Sequence, residues 1–269
     1  MILQKIIEKT RADLEKRKTP QLMEKYLRRP RKFRNVKKAL RSTPDNPYRI
    51  IGEIKKASPS RGVIREEFDP IAIAQIYNRH LDAISILTEP HFFRGSLEYL
   101  AKIDQFSQIP LLRKDFIIDR FQVAEAYYYG ADFFLLIVAG LEKETLKDLY
   151  NFGKDLGLEA LVEVHNREEL EIALEIGAEI IGFNHRDLKT FQMNMELGEE
   201  LIPLMPEGTI KVAESGIHSF EVVKKLHNLG VDAFLVGEFF MKQPSIEEGI
   251  KILKGEKESS NGKEGRRGK

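Results

Sequence analysis

Eight short apolar runs, rich in β-branched and aromatic residues, recur along most of the chain at roughly 25–30-residue intervals, with helix-like segments between them. The runs are Ile50–Ile54, Ala83–Leu87, Pro110–Arg113, Phe133–Val138, Ala160–Val164, Ile180–Phe183, Ile210–Ala213 and Ala233–Val236. Most are continuously apolar rather than alternating, so neither face can be left in water, as in parallel strands covered on both sides. The segments Ile71–His80, Leu97–Phe106, Phe121–Tyr129, Lys143–Phe152, Glu168–Ile176 and Ser219–Leu229 are amphipathic at helical spacing. Asp69-Pro70 and Ser219 supply helix starts, and Gly130, Gly157, Gly177 and Gly230 stand where a left-handed residue ends a helix. Eight consecutive βα units predict an α/β fold, a single (β/α)8 TIM barrel over residues 48–254. The alternative, an open doubly wound sheet around a dinucleotide, calls for G-x-G-x-x-G after the first strand, and the chain has none.

What flanks the barrel is charged. Residues 1–41 carry 15 Lys/Arg against 4 Asp/Glu, whereas residues 42–250 carry 21 against 35. A basic arm on an acidic body either binds nucleic acid or folds back onto the body. The second reading is favoured because the arm is amphipathic: Ile2, Leu3, Ile6, Ile7 and Leu14, then Leu22, Met23, Tyr26 and Leu27, repeat at helical spacing and need a surface to cover. Residues 1–47 are therefore read as an N-terminal helical extension, with no nucleic-acid partner expected. Its removal (residues 1–41) is expected to weaken ligand binding more than it unfolds the barrel. Residues 255–269 contain no apolar residue and are read as a disordered tail.

The chain has no cysteine, which excludes disulfides, Cys-ligated zinc and a Cys nucleophile. With neither a membrane-length apolar run nor a signal-peptide pattern, it is expected to be cytoplasmic. Its richness in Lys, Glu and Arg, without Cys or Trp, suits a heat-stable protein.

In such barrels, reacting groups project from the C-terminal ends of the strands. Here the first strand ends in Glu53 and Lys55, the third in Lys114, the fifth in Glu163, the sixth in Asn184 and the seventh in Glu214-Ser215. Any one of these is an ordinary loop residue taken alone. Together they place a ring of ammonium, carboxylate and amide groups in one mouth, where burial and mutual charge shift pKa values as acid–base chemistry requires. Ser215, Gly216 and Gly237, in the turns after strands seven and eight, offer backbone N–H groups to an anion such as phosphate.

The motifs carrying these residues resemble those of the indole-3-glycerol phosphate synthases. They are Glu53-Ile54-Lys55-Lys56-Ala57-Ser58-Pro59-Ser60, Leu87-Thr88-Glu89, Phe93-Arg94-Gly95-Ser96, Leu112-Arg113-Lys114-Asp115-Phe116, Glu163-Val164-His165, Gly182-Phe183-Asn184-His185-Arg186-Asp187-Leu188 and Glu214-Ser215-Gly216-Ile217. The resemblance spans residues 1–254 and implies a phosphosugar substrate, 1-(2-carboxyphenylamino)-1-deoxyribulose 5-phosphate. Its ring carbon attacks the ketone, and CO₂ and water leave to form the indole. It implies Lys114 as general acid, suited to the task by a lowered pKa, and Glu163 as general base. Glu53 and Lys55 would orient the substrate and exchange protons with it, the division of ring closure and dehydration between Lys55 and Lys114 being left open, and Asn184 and Glu214 would hold the reacting centre. Ser58 and Arg186 would meet the substrate carboxylate, though Arg186 could instead pair with Asp187. Phe93 and Phe116 would wall the aromatic ring, and Ser215, Gly216 and Gly237 would hold the phosphate. It also implies an extension lying over the mouth, no cofactor or metal, and a monomer or weak homo-oligomer. Ala57, His185 and Glu238 depart from the forms the resemblance leads one to expect; a carboxylate at Glu238 would repel phosphate unless turned away. The rival readings are another phosphosugar isomerase barrel, which would lack this Lys–Lys–Glu set, and a silent barrel acting through its basic arm.

Overall fold

A computed structural model describes residues 1–257. Eight parallel strands close on one another: β1 (Arg49–Ile54), β2 (Ala83–Leu87), β3 (Leu111–Lys114), β4 (Phe133–Ile137), β5 (Glu159–Val164), β6 (Ile180–Asn184), β7 (Ile210–Glu214) and β8 (Ala233–Val236). Each pairs with its neighbours in sequence, and β1 closes the ring by pairing with β8 in the register Arg49↔Ala233 to Gly52↔Val236. The continuous apolar runs are explained by burial on both faces. Ile51, Leu112, Leu135, Leu161, Ile180, Val212 and Leu235 fill the barrel interior, while Ile50, Ile84, Phe134, Val162, Ile181 and Phe234 pack outward beneath the helices.

The outer layer comprises α4 (Pro70–His80), α5 (Leu97–Asp104), α6 (Arg120–Tyr129), α7 (Lys143–Asp155), α8 (Arg167–Glu175), α9 (Leu197–Leu201), α10 (Phe220–Leu229), α11 (Glu238–Lys242) and α12 (Ile246–Leu253). The start signals work as their chemistry dictates. The Asp69 carboxylate accepts from the amides of Ile71 and Ala72, both at 3.0 Å, and Ser219 caps Val222. At the opposite face a repeated device trims the strand starts. Asp82, Asp132 and Asp232, each just before a strand, accept from the neighbouring strand's first amides (Ile50, Leu111 and Lys211) at 2.9 Å.

The basic arm folds onto the body. Helix α1 (Ile2–Arg17) brings Ile2, Leu3 and Ile6 over the barrel mouth. Its last turn is pinned by Arg17 to Glu125 at 2.9 Å, and Glu125 in turn pairs with the fully buried Arg113. Helix α2 (Pro20–Leu27) then runs along α6, where Tyr26 packs on Phe121 and Tyr128. Arg29 and Arg34 reach Asp104, and Arg34 also reaches Asp132 at 2.9 Å. Helix α3 (Val36–Leu40) lies at the far face, with Val36 and Leu40 inserted into the interior cluster. The extension thus covers the mouth only with the start of α1; the rest descends the barrel wall and seals the opposite end. The tail expectation falls mostly on residues 258–269, outside the described residues. Residues 255–257 are placed: Gly255, at φ 73°, ends α12, and Lys257 pairs with Glu248.

Candidate active site

Side chains two apart on a strand share a face, so Glu53 follows Ile51 inward, Lys114 follows Leu112, Glu163 follows Leu161, and Glu214 follows Val212. All of them meet in one cavity of about 150 Å³ at the C-terminal ends of the strands, together with Lys55 and Asn184. Every site residue expected from sequence lines this cavity, including Ser58, Phe93, Phe116, Arg186, Ser215, Gly216 and Gly237.

One half of the ring centres on Glu53. Its carboxylate accepts from Lys114 Nζ at 2.9 Å and Ser85 Oγ at 3.0 Å, and Lys55 Nζ stands 3.3 Å away. Burial opposes its ionisation, but Lys114 and Lys55 outweigh that and hold it below the usual carboxylate range. Burial likewise works against a charged Lys114, yet Glu53, Glu214 and Glu163 hold its pKa above the ordinary lysine value. This reverses the lowered pKa expected for the acid. The acidic side chains around this one ammonium, first among them Glu53 in hydrogen-bond contact, outweigh desolvation in the substrate-free site.

The other half centres on Glu163. Asn184 Nδ2 donates to its Oε1 at 3.1 Å, and Ser215 Oγ donates to Asn184 Oδ1 at 2.8 Å, which fixes the amide's orientation. His165 Nε2 lies 3.1 Å from the same carboxylate, while its Nδ1 is 3.0 Å from Glu169. Burial opposes both charges, but the pairing holds His165 up at about 10 and, with Lys114, holds Glu163 down at about 2. Glu214 is the odd member. Both carboxyl oxygens are buried with no hydrogen-bond partner among the described residues, and burial, followed by the charge of Glu163, raises its pKa well above the ordinary value, favouring the neutral acid. The carboxyl fits only because position 182 is glycine: a Cβ there would lie 2.1 Å from Glu214 Oε1.

The loops expected to face an anion are equally specific. Ser215 and Gly216 both have positive φ, 67° and 73°, a strained turn for serine. His185, kept neutral by burial, donates from Nδ1 to Ser215 O at 2.9 Å and so braces that turn. Phe93 and Phe116 face each other with centroids 5.8 Å apart. The Phe93 loop is held by Glu89, whose buried carboxylate takes the amides of His91, Phe92 and Phe93. Arg186 does not pair with Asp187, which instead caps Lys189 and Thr190. It donates to Ser60 Oγ at 2.8 Å and to Glu238 Oε2 at 3.3 Å. Glu238 lines the cavity rather than turning away.

Sequence reasoning gave His165, Glu89 and the Glu238 pairings no role, and it did not single out Leu3 and Ile6 as cavity walls. Of these, only His165–Glu169 left a trace, an i,i+4 pair beginning two residues after a rim carboxylate.

The family model for indole-3-glycerol phosphate synthase matches residues 3–253. The chain belongs to the indole-3-glycerol phosphate synthase family. It is 60% identical to the indole-3-glycerol phosphate synthase of Nautilia profundicola, over 96% of this chain and 100% of that protein. It is 54% identical to that of Sulfurimonas denitrificans, over 94% and 98%. Solved structures similar in fold alone include 3-hexulose-6-phosphate synthase from Salmonella typhimurium (TM-score 0.63, 13% identity, 77% of this chain and 97% of that one). Another is a mutant tryptophan synthase α-subunit from Pyrococcus furiosus (TM-score 0.60, 13% identity, 77% and 98%). The chain is accordingly an enzyme, a carboxy-lyase of tryptophan biosynthesis that forms indole-3-glycerol phosphate. Among the described residues, no helix is long and apolar enough to cross a membrane.

Proposed function

We propose that the two halves of the ring divide the reaction on 1-(2-carboxyphenylamino)-1-deoxyribulose 5-phosphate. As the carboxylate-bearing ring carbon bonds to the ketone carbon, Lys114 gives a proton to the ketone oxygen. The carboxylate leaves as CO₂, and its bonding electrons restore the aromatic ring. The new hydroxyl then takes a proton from Lys55, the second ammonium of the cavity, and departs as water, while Glu163 takes the proton lost from the neighbouring carbon. The observation that carries this division is that, among the described residues, Glu53 alone holds Lys114 at hydrogen-bond distance, whereas Glu163 is held by Asn184 and His165. Acid and base thus do not neutralise each other before substrate arrives.

Glu53 and Lys55 orient the ketose, and Asn184 and Glu214 hold the reacting centre, Glu214 as a hydrogen-bond donor. Phe93 and Phe116 wall the aromatic ring. Ser58 and Arg186 take the carboxylate, and Ser215, Gly216 and Gly237 take the phosphate. The enzyme works in the cytoplasm as a monomer or weak homo-oligomer, with residues 48–254 as its one barrel domain and residues 1–47 as an extension of it.

A Glu163→Gln variant tests the division. It should still release CO₂ in a single turnover while indole fluorescence fails to develop, because ring closure precedes dehydration. Loss of both signals together from a folded variant would place Glu163 in the first step instead.

A further inference from the structure

Glu238 is an anion at the mouth of a site for a polyanionic substrate, and its surroundings give it a use. It opens α11 directly after Gly237, beside the loop assigned to phosphate. Its carboxylate meets Arg61 Nε at 3.1 Å, Lys242 Nζ at 2.6 Å and Arg186 Nη2 at 3.3 Å. Arg61 and Ser60 lie in the turn between the short paired segments Ala57–Ser58 and Gly62–Val63, so one carboxylate ties together the loops after β1, β6 and β8. Arg186 is the most buried of the three cations, 20% exposed against 52% for Arg61 and for Lys242.

We propose that Glu238 is an exchange counter-ion for Arg186: the substrate carboxylate displaces it on binding, and it returns when that carboxylate leaves as CO₂. The proposal rests on the reading of Arg186 as the carboxylate partner. Substrate and product differ at this point of the site by one carboxylate. Without Glu238, decarboxylation would strand a half-buried guanidinium with no anionic partner, a state that costs more than leaving an exposed one. With it, an equivalent group waits within reach, and Arg61 and Lys242 keep it charged and close while Arg186 is engaged elsewhere. The exchange weakens binding of the carboxylated substrate relative to the decarboxylated product, which favours forward flow and release. Glu238 acts through Arg186 and is therefore a positioning residue.

The test uses two unreactive ligands: the substrate with its ketone reduced to an alcohol, and the same molecule without the ring carboxylate. Repulsion between Glu238 and phosphate affects both equally, so the ratio of their dissociation constants isolates the exchange. In Glu238→Gln the carboxylated ligand should gain about two- to fivefold over the other, the range of a solvent-accessible ion pair. An unchanged ratio in Glu238→Gln, with the ratio collapsing in Arg186→Gln, overturns the exchange and leaves the Arg186 assignment standing. A ratio unchanged in Arg186→Gln overturns that assignment and the exchange with it.

Discussion

Gly182→Ala adds one methyl group inside the barrel and should disable the enzyme without unfolding it. The new Cβ would stand 2.1 Å from Glu214 Oε1 and 3.2 Å from both Glu214 Cδ and Leu161 Cδ1. Restoring van der Waals contact requires the carboxyl to retreat by about 1 Å, and misplacement on that scale costs roughly 10²-fold in rate. Overpacking of this size costs about 1–3 kcal/mol, a shift of several degrees in Tm for a chain of this length. The assay is kcat/KM from indole fluorescence beside a thermal melt. A variant that melts cooperatively within a few degrees of the wild type but has lost about two orders of magnitude in kcat/KM bears out the reasoning. Near-wild-type turnover would refute it, since Glu214 would then tolerate displacement and could not be holding the reacting centre.

His165→Gln should move the acid limb of the kcat/KM profile to higher pH. Glu163 sits at about 2 partly through His165, and a base is lost as pH falls through its pKa, so removing the cation raises that limb; an unmoved limb would contradict the pairing. The same variant checks stability linkage: His165 is raised to about 10, so its contribution is fully present below its unfolded pKa of about 6.5 and lost as pH rises through 10. The Tm gap between wild type and His165→Gln should therefore narrow across that window. Deleting residues 1–8 should raise KM and leave the melt nearly intact, because Leu3 and Ile6 wall the cavity. Deleting residues 1–41 should abolish the cooperative melt. It removes Val36 and Leu40 from the core and strands the buried Asp132 without Arg34, a larger role for the arm than its sequence suggested; a cooperative melt of that truncation would refute this.

The fold was legible because parallel strands buried on both faces must be written in continuous apolar runs, and eight such runs leave little choice of architecture. The rim was legible for a related reason. A charged residue two positions beyond an inward apolar one has to point into the mouth, which holds for Glu53, Lys114, Glu163 and Glu214 alike. Two of the outer helices were harder to read: α9 and α11 have five residues each, too few for a helical period to show. Contacts between loops were harder still. That Glu238 meets Arg61 and Arg186 depends on how three separate turns sit above the barrel, and no local pattern encodes it. The direction of the Lys114 shift was misjudged for the same reason, since it depends on how many carboxylates the closed ring gathers around one ammonium.

On the proposed division, Lys114 delivers the proton that lets the ring close. Indole fluorescence on mixing purified enzyme with 1-(2-carboxyphenylamino)-1-deoxyribulose 5-phosphate, wild type beside Lys114→Ala, tests it most directly, with a melt confirming that the variant is folded. A fall on the order of 10²–10⁴-fold in the variant is the predicted result. Signal retained within a few-fold of wild type would contradict the assignment and transfer the acid's role to Lys55.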